Sequence, residues 1–372
     1  MIRVLSVFGT RPEAIKMAPV VKALARRSDI VSRVCVTAQH REMLDQVLDI
    51  FSIKPDHDLN IMQERQTLSD VTSSALIGVE RVIKEEQPDW VLVQGDTTTV
   101  LAASLAAYYQ RVKVGHVEAG LRTGNKFHPY PEEINRRLAD ALADLHFAPT
   151  ETARQNLLRE GIPIGSIVVT GNTVIDALLN VVEQVRRDGR NPWQTPDLQD
   201  KRIIAVTAHR RENFGQPLQS ICDALLDIAR SYRDVHIIYP VHRNPNVQDV
   251  VYRRLSNVAN ISLVDPIDYR SMVALLDCSY LILTDSGGLQ EEAPSLGKPV
   301  LVLRETTERP EAVAAGTVKV VGTDRGRIVG ETAALLDDPV AYQRMANAVN
   351  PYGDGQASGR IVKAIVEYGA SS

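Results

Sequence analysis

Three segments of the chain set carboxylates beside small or polar residues, two where strands are expected to end, Gln94-Gly95-Asp96-Thr97-Thr98-Thr99 and Gly115-His116-Val117-Glu118-Ala119-Gly120, and one at an expected helix start, Pro131-Glu132-Glu133-Ile134-Asn135-Arg136. Carboxylates in such places suit proton transfer, one serving as base and another as acid. Taken singly, each has a plainer explanation. Asp96 could cap the helix through Leu101–Tyr109, and Glu132 could pair with Arg136 one turn further on. Taken together, Asp96, Glu118 and Glu132 are expected to converge on one crevice, where unpaired buried charges would cost several kcal/mol if they had no task.

A second set of residues suits an anion. In Gly9-Thr10-Arg11-Pro12-Glu13-Ala14-Ile15-Lys16 a glycine makes the turn, a proline opens the helix, and Arg11 and Lys16 stand around a helix N-terminus. A plain strand-to-helix connection with exposed cations is an equally simple reading. In Thr284-Asp285-Ser286-Gly287-Gly288-Leu289-Gln290-Glu291-Glu292, bare backbone N–H groups of Gly287 and Gly288 can approach phosphate oxygens, with the Ser286 hydroxyl as a further donor. Ser286 could instead only cap the helix. Glu292, one turn past Gly288, is in reach of ribose hydroxyls, or is a solvated carboxylate. His209-Arg210 and His242-Arg243 each follow a strand; a lone histidine there is more often structural, but two such pairs suggest donors facing a diphosphate.

The elements that must hold these groups alternate along the chain. Arg3–Phe8, Val34–Thr37, Trp90–Val93 and Val112–Val117 read as strands, with amphipathic helices such as Glu13–Arg26 and Val71–Glu86 between them. The alternation pauses over Arg186–Lys201, restarts with Ile203–Thr207, and continues through strands at Val235–Tyr239, Ile261–Val264, Tyr280–Leu283 and Pro299–Leu303. This predicts an α/β protein of two doubly wound Rossmann-like domains with a ligand cleft between them. The N-terminal domain is expected over 1–170, completed by an amphipathic C-terminal helix at 357–372, and the C-terminal domain over 171–356.

Composition is that of an ordinary soluble protein: 372 residues, 44% hydrophobic, 24% charged, formal net charge −4. Without a long Lys/Arg run or an apolar stretch of membrane-spanning length, neither nucleic acid nor membrane is an expected partner. The N-terminus reads as a first strand rather than a secretory signal. Three cysteines far apart suit reduced, cytoplasmic thiols. The absence of GxGxxG argues against a dinucleotide cofactor, and the absence of HExxH or an Asp/His cluster against a catalytic metal, so no cofactor is expected.

Along nearly its whole length the chain resembles the non-hydrolysing UDP-N-acetylglucosamine 2-epimerases, whose fold is GT-B-like. The resemblance is carried by FGTRPEAIKMAP from Phe8, TAQHREMLDQVL from Thr37, QGDTTT from Gln94, GHVEAGLRTG from Gly115, PEEINR from Pro131, TAHRREN from Thr207, YPVHRNPNV from Tyr239, TDSGGLQEEAPSLGKPVL from Thr284 and RETTERPEA from Arg304. It implies interconversion of UDP-N-acetylglucosamine and UDP-N-acetylmannosamine: removal of the C2 proton, expulsion of UDP to an enzyme-bound glycal, and re-addition. By the same resemblance Asp96, Glu118, Glu132 and His209 lie around the reacting sugar. Arg11, Lys16, Arg136, Arg210, His242, Ser286, Gly287, Gly288, Glu292 and Arg309 bind substrate or UDP. Some bacterial members bind a second UDP-N-acetylglucosamine as activator through residues matching Gln39, His40, Arg65 and Gln66, although Glu42 stands where some regulated members have Gln. A homodimer is implied by the family only.

Three other readings share parts of this pattern. A GT-B glycosyltransferase would keep the diphosphate clamp but need an acceptor groove and at most one base. A hydrolysing epimerase would differ in admitting water to the intermediate. A non-catalytic UDP-sugar sensor would keep Ser-Gly-Gly and dispense with the three carboxylates.

Overall fold

The computed structural model describes the backbone of residues 1–38, 41–63 and 65–370, and their side chains except at 41–43, 369 and 370. The chain divides into two units, Met1–Ala177 with Tyr352–Ser372, and Leu178–Pro351.

The first unit opens with β1 (Ile2–Phe8), α1 (Arg11–Ala25), β2 (Ile30–Val36), α2 (Arg41–Phe51), β3 (His57–Asp58), α3 (Leu68–Glu86), β4 (Trp90–Gln94) and α4 (Thr98–Tyr109). It continues with β5 (Lys113–Val117), α5 (Glu132–Leu142), β6 (Leu145–Ala148), α6 (Glu151–Arg159), β7 (Ile167–Val169) and α7 (Thr173–Asp188), the last running on into the second unit. Its seven strands pair in the order β3-β2-β1-β4-β5-β6-β7, and every pairing is parallel. Strands covered on both faces need apolar residues at almost every position, and β4, Trp-Val-Leu-Val-Gln, is buried throughout. Leu5, Val7, Val91, Val93 and Val100 are core residues with no exposed surface, each stabilising the fold by roughly 1.5–3 kcal/mol.

In the second unit come β8 (Arg202–Thr207), α8 (Gln216–Ser231), β9 (Val235–Pro240), α9 (Pro245–Leu255), β10 (Ile261–Val264), α10 (Tyr269–Cys278), β11 (Leu281–Thr284) and α11 (Gly287–Glu292). Then follow β12 (Val300–Val302), α12 (Pro310–Ala315), β13 (Val318–Val320), α13 (Arg325–Asp337) and α14 (Pro339–Ala346), and the chain ends in α15 (Ala357–Ala370), which belongs to the first unit. The six strands run in the order β10-β9-β8-β11-β12-β13, again all parallel. Ile204, Val206, Leu225, Ile237, Tyr239, Leu283 and Leu301 fill the core around them.

Both expected doubly wound sheets are therefore present, and in each the strand order reverses at one place, between β1 and β4 and between β8 and β11. At such a point the helices leaving the two neighbouring strands go to opposite faces, and a polar crevice opens beyond the carboxyl ends. Four further strands, β3, β6, β7 and β13, each of two to four residues, were not expected from the sequence. The pause expected from Arg186 begins three residues late, because α7 continues through Asp188. Among the described residues no helix is long and apolar enough to cross a membrane.

Asp176 on α7 holds the start of α15. Its carboxylate accepts the backbone N–H groups of Ala357 (3.2 Å) and Ser358 (2.8 Å) and the Ser358 hydroxyl (2.6 Å), supplying the acceptor that a helix N-terminus lacks. Replacing Asp176 with Ala should cost about 1–3 kcal/mol and speed amide exchange selectively over Ala357–Ala370. Unchanged protection of that helix would contradict the capping role.

Candidate active site

At the reversal point of the first sheet, Gly9 and Thr10 follow β1 and Gly95 and Asp96 follow β4. Thr10 is the N-cap of α1 and Glu13 its third residue, and the Glu13 carboxylate turns back to accept the N–H groups of Thr10 (2.8 Å) and Gly9 (3.2 Å). Its other oxygen accepts the Thr97 hydroxyl at 2.8 Å, and Thr97 caps α4. Glu13 thus ties together the turns after two neighbouring strands. Burial pushes its carboxyl up to about 7, against the donors Thr10, Thr97 and Gly9, which favour the charged form.

One strand further, Glu118 follows β5 with a left-handed backbone, φ 67°, a conformation that costs a non-glycine residue of order 1 kcal/mol or more. The Lys16 ammonium of α1 lies 2.5 Å from Glu118 Oε2, with both side chains largely shielded. Asp96 is bonded to the Arg136 guanidinium, and its backbone carbonyl accepts Asn135 Nδ2 at 3.0 Å. The first turn of α5, which begins at Glu132, is thereby packed against Asp96. Glu132 itself is half-buried.

These contacts decide two of the simpler explanations for the carboxylates. Asp96 does not cap α4, because Thr97 does. Arg136 reaches Asp96 and Glu133, the latter at 3.5 Å, rather than serving as the partner of Glu132. Asp96, Glu118 and Glu132 stand at two adjacent strand ends and at the start of the helix packed on them. Arg11 is half-buried on the first turn of α1.

In the second sheet the reversal point is built around Asp285, which has no exposed surface. Its Oδ2 accepts the backbone N–H of His209 (2.7 Å) and Arg210 (2.8 Å) and the Asn213 amide (3.0 Å), joining the turn after β8 to the one after β11. Its Oδ1 lies 3.4 Å from His209 Nδ1. The His209 ring stacks on His242 with centroids 5.4 Å apart. Burial is the main cause holding His209 below its ordinary value, with His242 and Arg210 adding to it against the Asp285 carboxylate.

Ser286 opens α11 without a side-chain capping bond, so the capping alternative does not account for its hydroxyl. Gly287 sits beneath charged side chains: a Cβ there would lie 2.9 Å from Glu308 Oε1, at the end of a movable side chain, and 3.8 Å from guanidinium nitrogens of Arg210 and Arg309. Arg309 is also bonded to Glu291. Glu292 is buried and accepts the Tyr269 hydroxyl at 3.3 Å, so it is not a solvated helix carboxylate. Of the four residues expected at a second ligand site, Gln39 and His40 lie outside the described residues. Arg65 is exposed, and Gln66 donates to the Ile61 carbonyl at 2.6 Å.

Glu13 and Asp285 are the site residues that sequence reading passed over. The first was signalled by the capping-box spacing Thr10-Arg11-Pro12-Glu13, the second by nothing beyond its place before Ser-Gly-Gly.

Two doubly wound parallel sheets, one ending in carboxylates and the other in histidines, arginines and a glycine-lined turn, define a GT-B-like α/β enzyme. Residues 22–366 match the profile of the family described as UDP-N-acetylglucosamine 2-epimerase. The chain is 59% identical over 371 residues to the UDP-N-acetylglucosamine 2-epimerase of Escherichia coli, covering 98% of each chain. Its fold is similar to that of the UDP-GlcNAc 2-epimerase from Neisseria meningitidis bound to UDP-GlcNAc, with TM-score 0.88 and 51% identity over 98% of this chain and 100% of the other. The Methanocaldococcus jannaschii UDP-GlcNAc 2-epimerase, in complex with UDP-GlcNAc and UDP, gives TM-score 0.77 and 34% identity over 99% and 100%. The chain belongs to the UDP-N-acetylglucosamine 2-epimerase family of isomerases.

The Glu13 environment gives a pH signature. Its carboxyl titrates at about 7 in the folded protein against an ordinary 4.5, so the native state keeps a proton that the unfolded chain has already released. Its contribution is complete below the ordinary value and is lost as pH rises toward the folded one, by up to about 3 kcal/mol. Denaturation of wild type and Glu13→Gln across this range should show their stability difference changing with pH and levelling off above it. A constant offset at every pH would contradict the raised carboxyl.

Proposed function

We propose that this protein reversibly epimerises UDP-N-acetylglucosamine at C2 to UDP-N-acetylmannosamine, by anti elimination of UDP and re-addition to an enzyme-bound 2-acetamidoglucal. The observation that carries the reading is the placing of Asp96, Glu118 and Glu132 at two neighbouring strand ends and the helix packed on them, each carboxylate on a different segment. The C2 hydrogen is not acidic, so a positioned base and a stabilised leaving group must act together. One carboxylate takes the C2 proton, the C1–O bond breaks with its electron pair going to the diphosphate, and C1=C2 forms. On return a second acid protonates the opposite face of C2 while a diphosphate oxygen attacks C1.

The Lys16–Glu118 and Arg136–Asp96 pairs support this reading by holding two of the carboxylates in place. In the other unit Arg210, His242, Ser286, Gly287, Gly288 and Arg309 are assigned to the diphosphate, Glu292 to the ribose, and His209 to the reacting sugar. A metal or nicotinamide cofactor has no part in this reaction. Its product would supply N-acetylmannosamine units for cell-surface polysaccharide. A cytoplasmic homodimer, activated by a second UDP-N-acetylglucosamine through Gln39, His40, Arg65 and Gln66, completes the proposal. Activation would appear as sigmoidal forward kinetics and as a reverse reaction that requires added UDP-N-acetylglucosamine; hyperbolic kinetics throughout would remove it.

Incubation with UDP-N-acetylglucosamine in deuterated water, without metal or NAD, should give UDP-N-acetylmannosamine deuterated at C2 with the UDP linkage intact. Free sugar would establish hydrolysis instead, and inertness until an acceptor is supplied would establish a transferase. Glu292→Ala should weaken UDP binding about tenfold by calorimetry, the loss of a buried charged partner. Asp96→Asn should bind UDP like wild type while losing turnover. Equal losses of affinity in the two variants would refute the assignment.

A further inference from the structure

His116 lies at the interior of β5 with no exposed surface. Its Nδ1 is 2.6 Å from Asp140 Oδ1 and its Nε2 is 2.7 Å from the carbonyl oxygen of Gly95. A carboxylate and a carbonyl both accept, so each ring nitrogen must carry a hydrogen, which makes the ring an imidazolium. Asp140 supplies the opposite charge. Its second oxygen accepts Arg122 at 2.6 Å and the backbone N–H of Gly120 at 3.3 Å, and Arg122 also grips Glu160 at 2.7 and 2.8 Å.

What this network ties together matters more than its charge count. Gly95 precedes Asp96, Gly120 follows Glu118 by two residues, and Asp140 sits on the helix that begins at Glu132. Gly95 and Gly120 both have left-handed backbone, φ 79° and 86°, and a Cβ on Gly120 would lie 2.4 Å from the Ala153 carbonyl oxygen. Each of the three segments that carry a proposed acid or base is therefore fastened to the same His116–Asp140 pair.

We propose that His116, held as a buried imidazolium by Asp140, is a positioning residue for the acid–base chemistry, fixing the segments of Asp96, Glu118 and Glu132 relative to one another. The inference rests on the assignment of those three carboxylates to proton transfer. His116 touches backbone and Asp140, so its effect falls on turnover while the UDP-binding groups of the other unit are left as they are.

Burial, the largest influence, works against the charge, but the Asp140 carboxylate and the Gly95 carbonyl outweigh it and hold His116 above its ordinary value, with Arg122 opposing. The same pairing holds Asp140 below the usual carboxylate range despite its burial. His146 also faces the cluster, its Nε2 2.8 Å from the Asp140 carbonyl and its Nδ1 a longer 3.3 Å from that of Ser166; burial, with the neighbouring His116 charge, holds it below its ordinary value against Asp140, and Arg137 lies 3.7 Å from Glu160. A raised imidazole keeps its contribution at low pH and loses it as pH rises through the folded value, when one of its two hydrogen bonds must be given up.

The direct test is nitrogen NMR of histidine-labelled wild type at pH 7, where both His116 ring nitrogens should be protonated. A neutral tautomer would overturn the proposal whatever the variants do. His116→Ala should lower kcat about 10- to 100-fold while KM and UDP affinity stay within about twofold, as expected of a misplaced acid or base. His116→Gln, which keeps an N–H near Gly95 without the charge, should recover part of that loss. Its rate should also lack the alkaline decline that in wild type follows the His116 titration. Wild-type kcat in His116→Ala, or an equal loss of UDP affinity and turnover, would overturn the positioning role. A wild-type protein that titrates as described but does not epimerise would overturn the assignment of the carboxylates instead.

Discussion

A carboxylate buried beneath the end of a parallel strand has no water to solvate it, and in both sheets backbone N–H groups of its own or a neighbouring turn, with a side-chain donor, take the place of water. Glu13 receives Gly9, Thr10 and the Thr97 hydroxyl; Asp285 receives His209, Arg210 and Asn213. Leaving such a group unsatisfied would cost several kcal/mol, so the turns can take only the conformations that supply the donors. Both carboxylates stand where the strand order reverses, the one place in each sheet where adjacent strands send their helices to opposite faces. The constraint that stabilises the fold is thus the same one that gives the turns their shape.

Chemistry follows from what those turns present. In the first unit they present charge held by counter-charge: Glu118 against Lys16 and Asp96 against Arg136. The left-handed backbone of Glu118 is a strained arrangement kept by its surroundings, as expected where the direction of one side chain matters more than local comfort. In the second unit the turns present donors: a histidine pair, the arginines beside Gly287, and an uncommitted Ser286 hydroxyl. Proton transfer and anion binding make opposite electrostatic demands, and under the proposed function separate sheets would let each be met without compromising the other.

The fold was legible because buried parallel strands are apolar throughout and the helices between them are amphipathic; β3, β6, β7 and β13 went unread, although β10, β11 and β12, of similar length, were read. The segments holding Asp96, Glu118, His209 and Ser286 were legible because polar residues soon after an apolar strand stand out, and that of Glu132 because acidic residues open a helix there. Their partners were not. Thr97 rather than Asp96 caps α4, a distinction of one residue that propensity does not resolve. The partnership of His116 with Asp140 spans 24 residues and that of Asp285 with His209 spans 76, and no local spacing encodes contacts made only when strands are laid side by side. Glu13 was within reach of sequence reasoning through its capping box, but its bond to Thr97 depends on β1 and β4 being neighbours.

The central claim is that the bond between C1 of the sugar and the diphosphate oxygen breaks and re-forms while C2 is inverted. Substrate carrying heavy oxygen only in that bridging position tests it directly, because a diphosphate released in the site can rotate before it re-adds. The account predicts that the label scrambles into the non-bridging positions of the β-phosphate in recovered UDP-N-acetylglucosamine as epimerisation proceeds. Epimerisation with the label wholly retained in the bridge would contradict it, and would require inversion at C2 without departure of UDP.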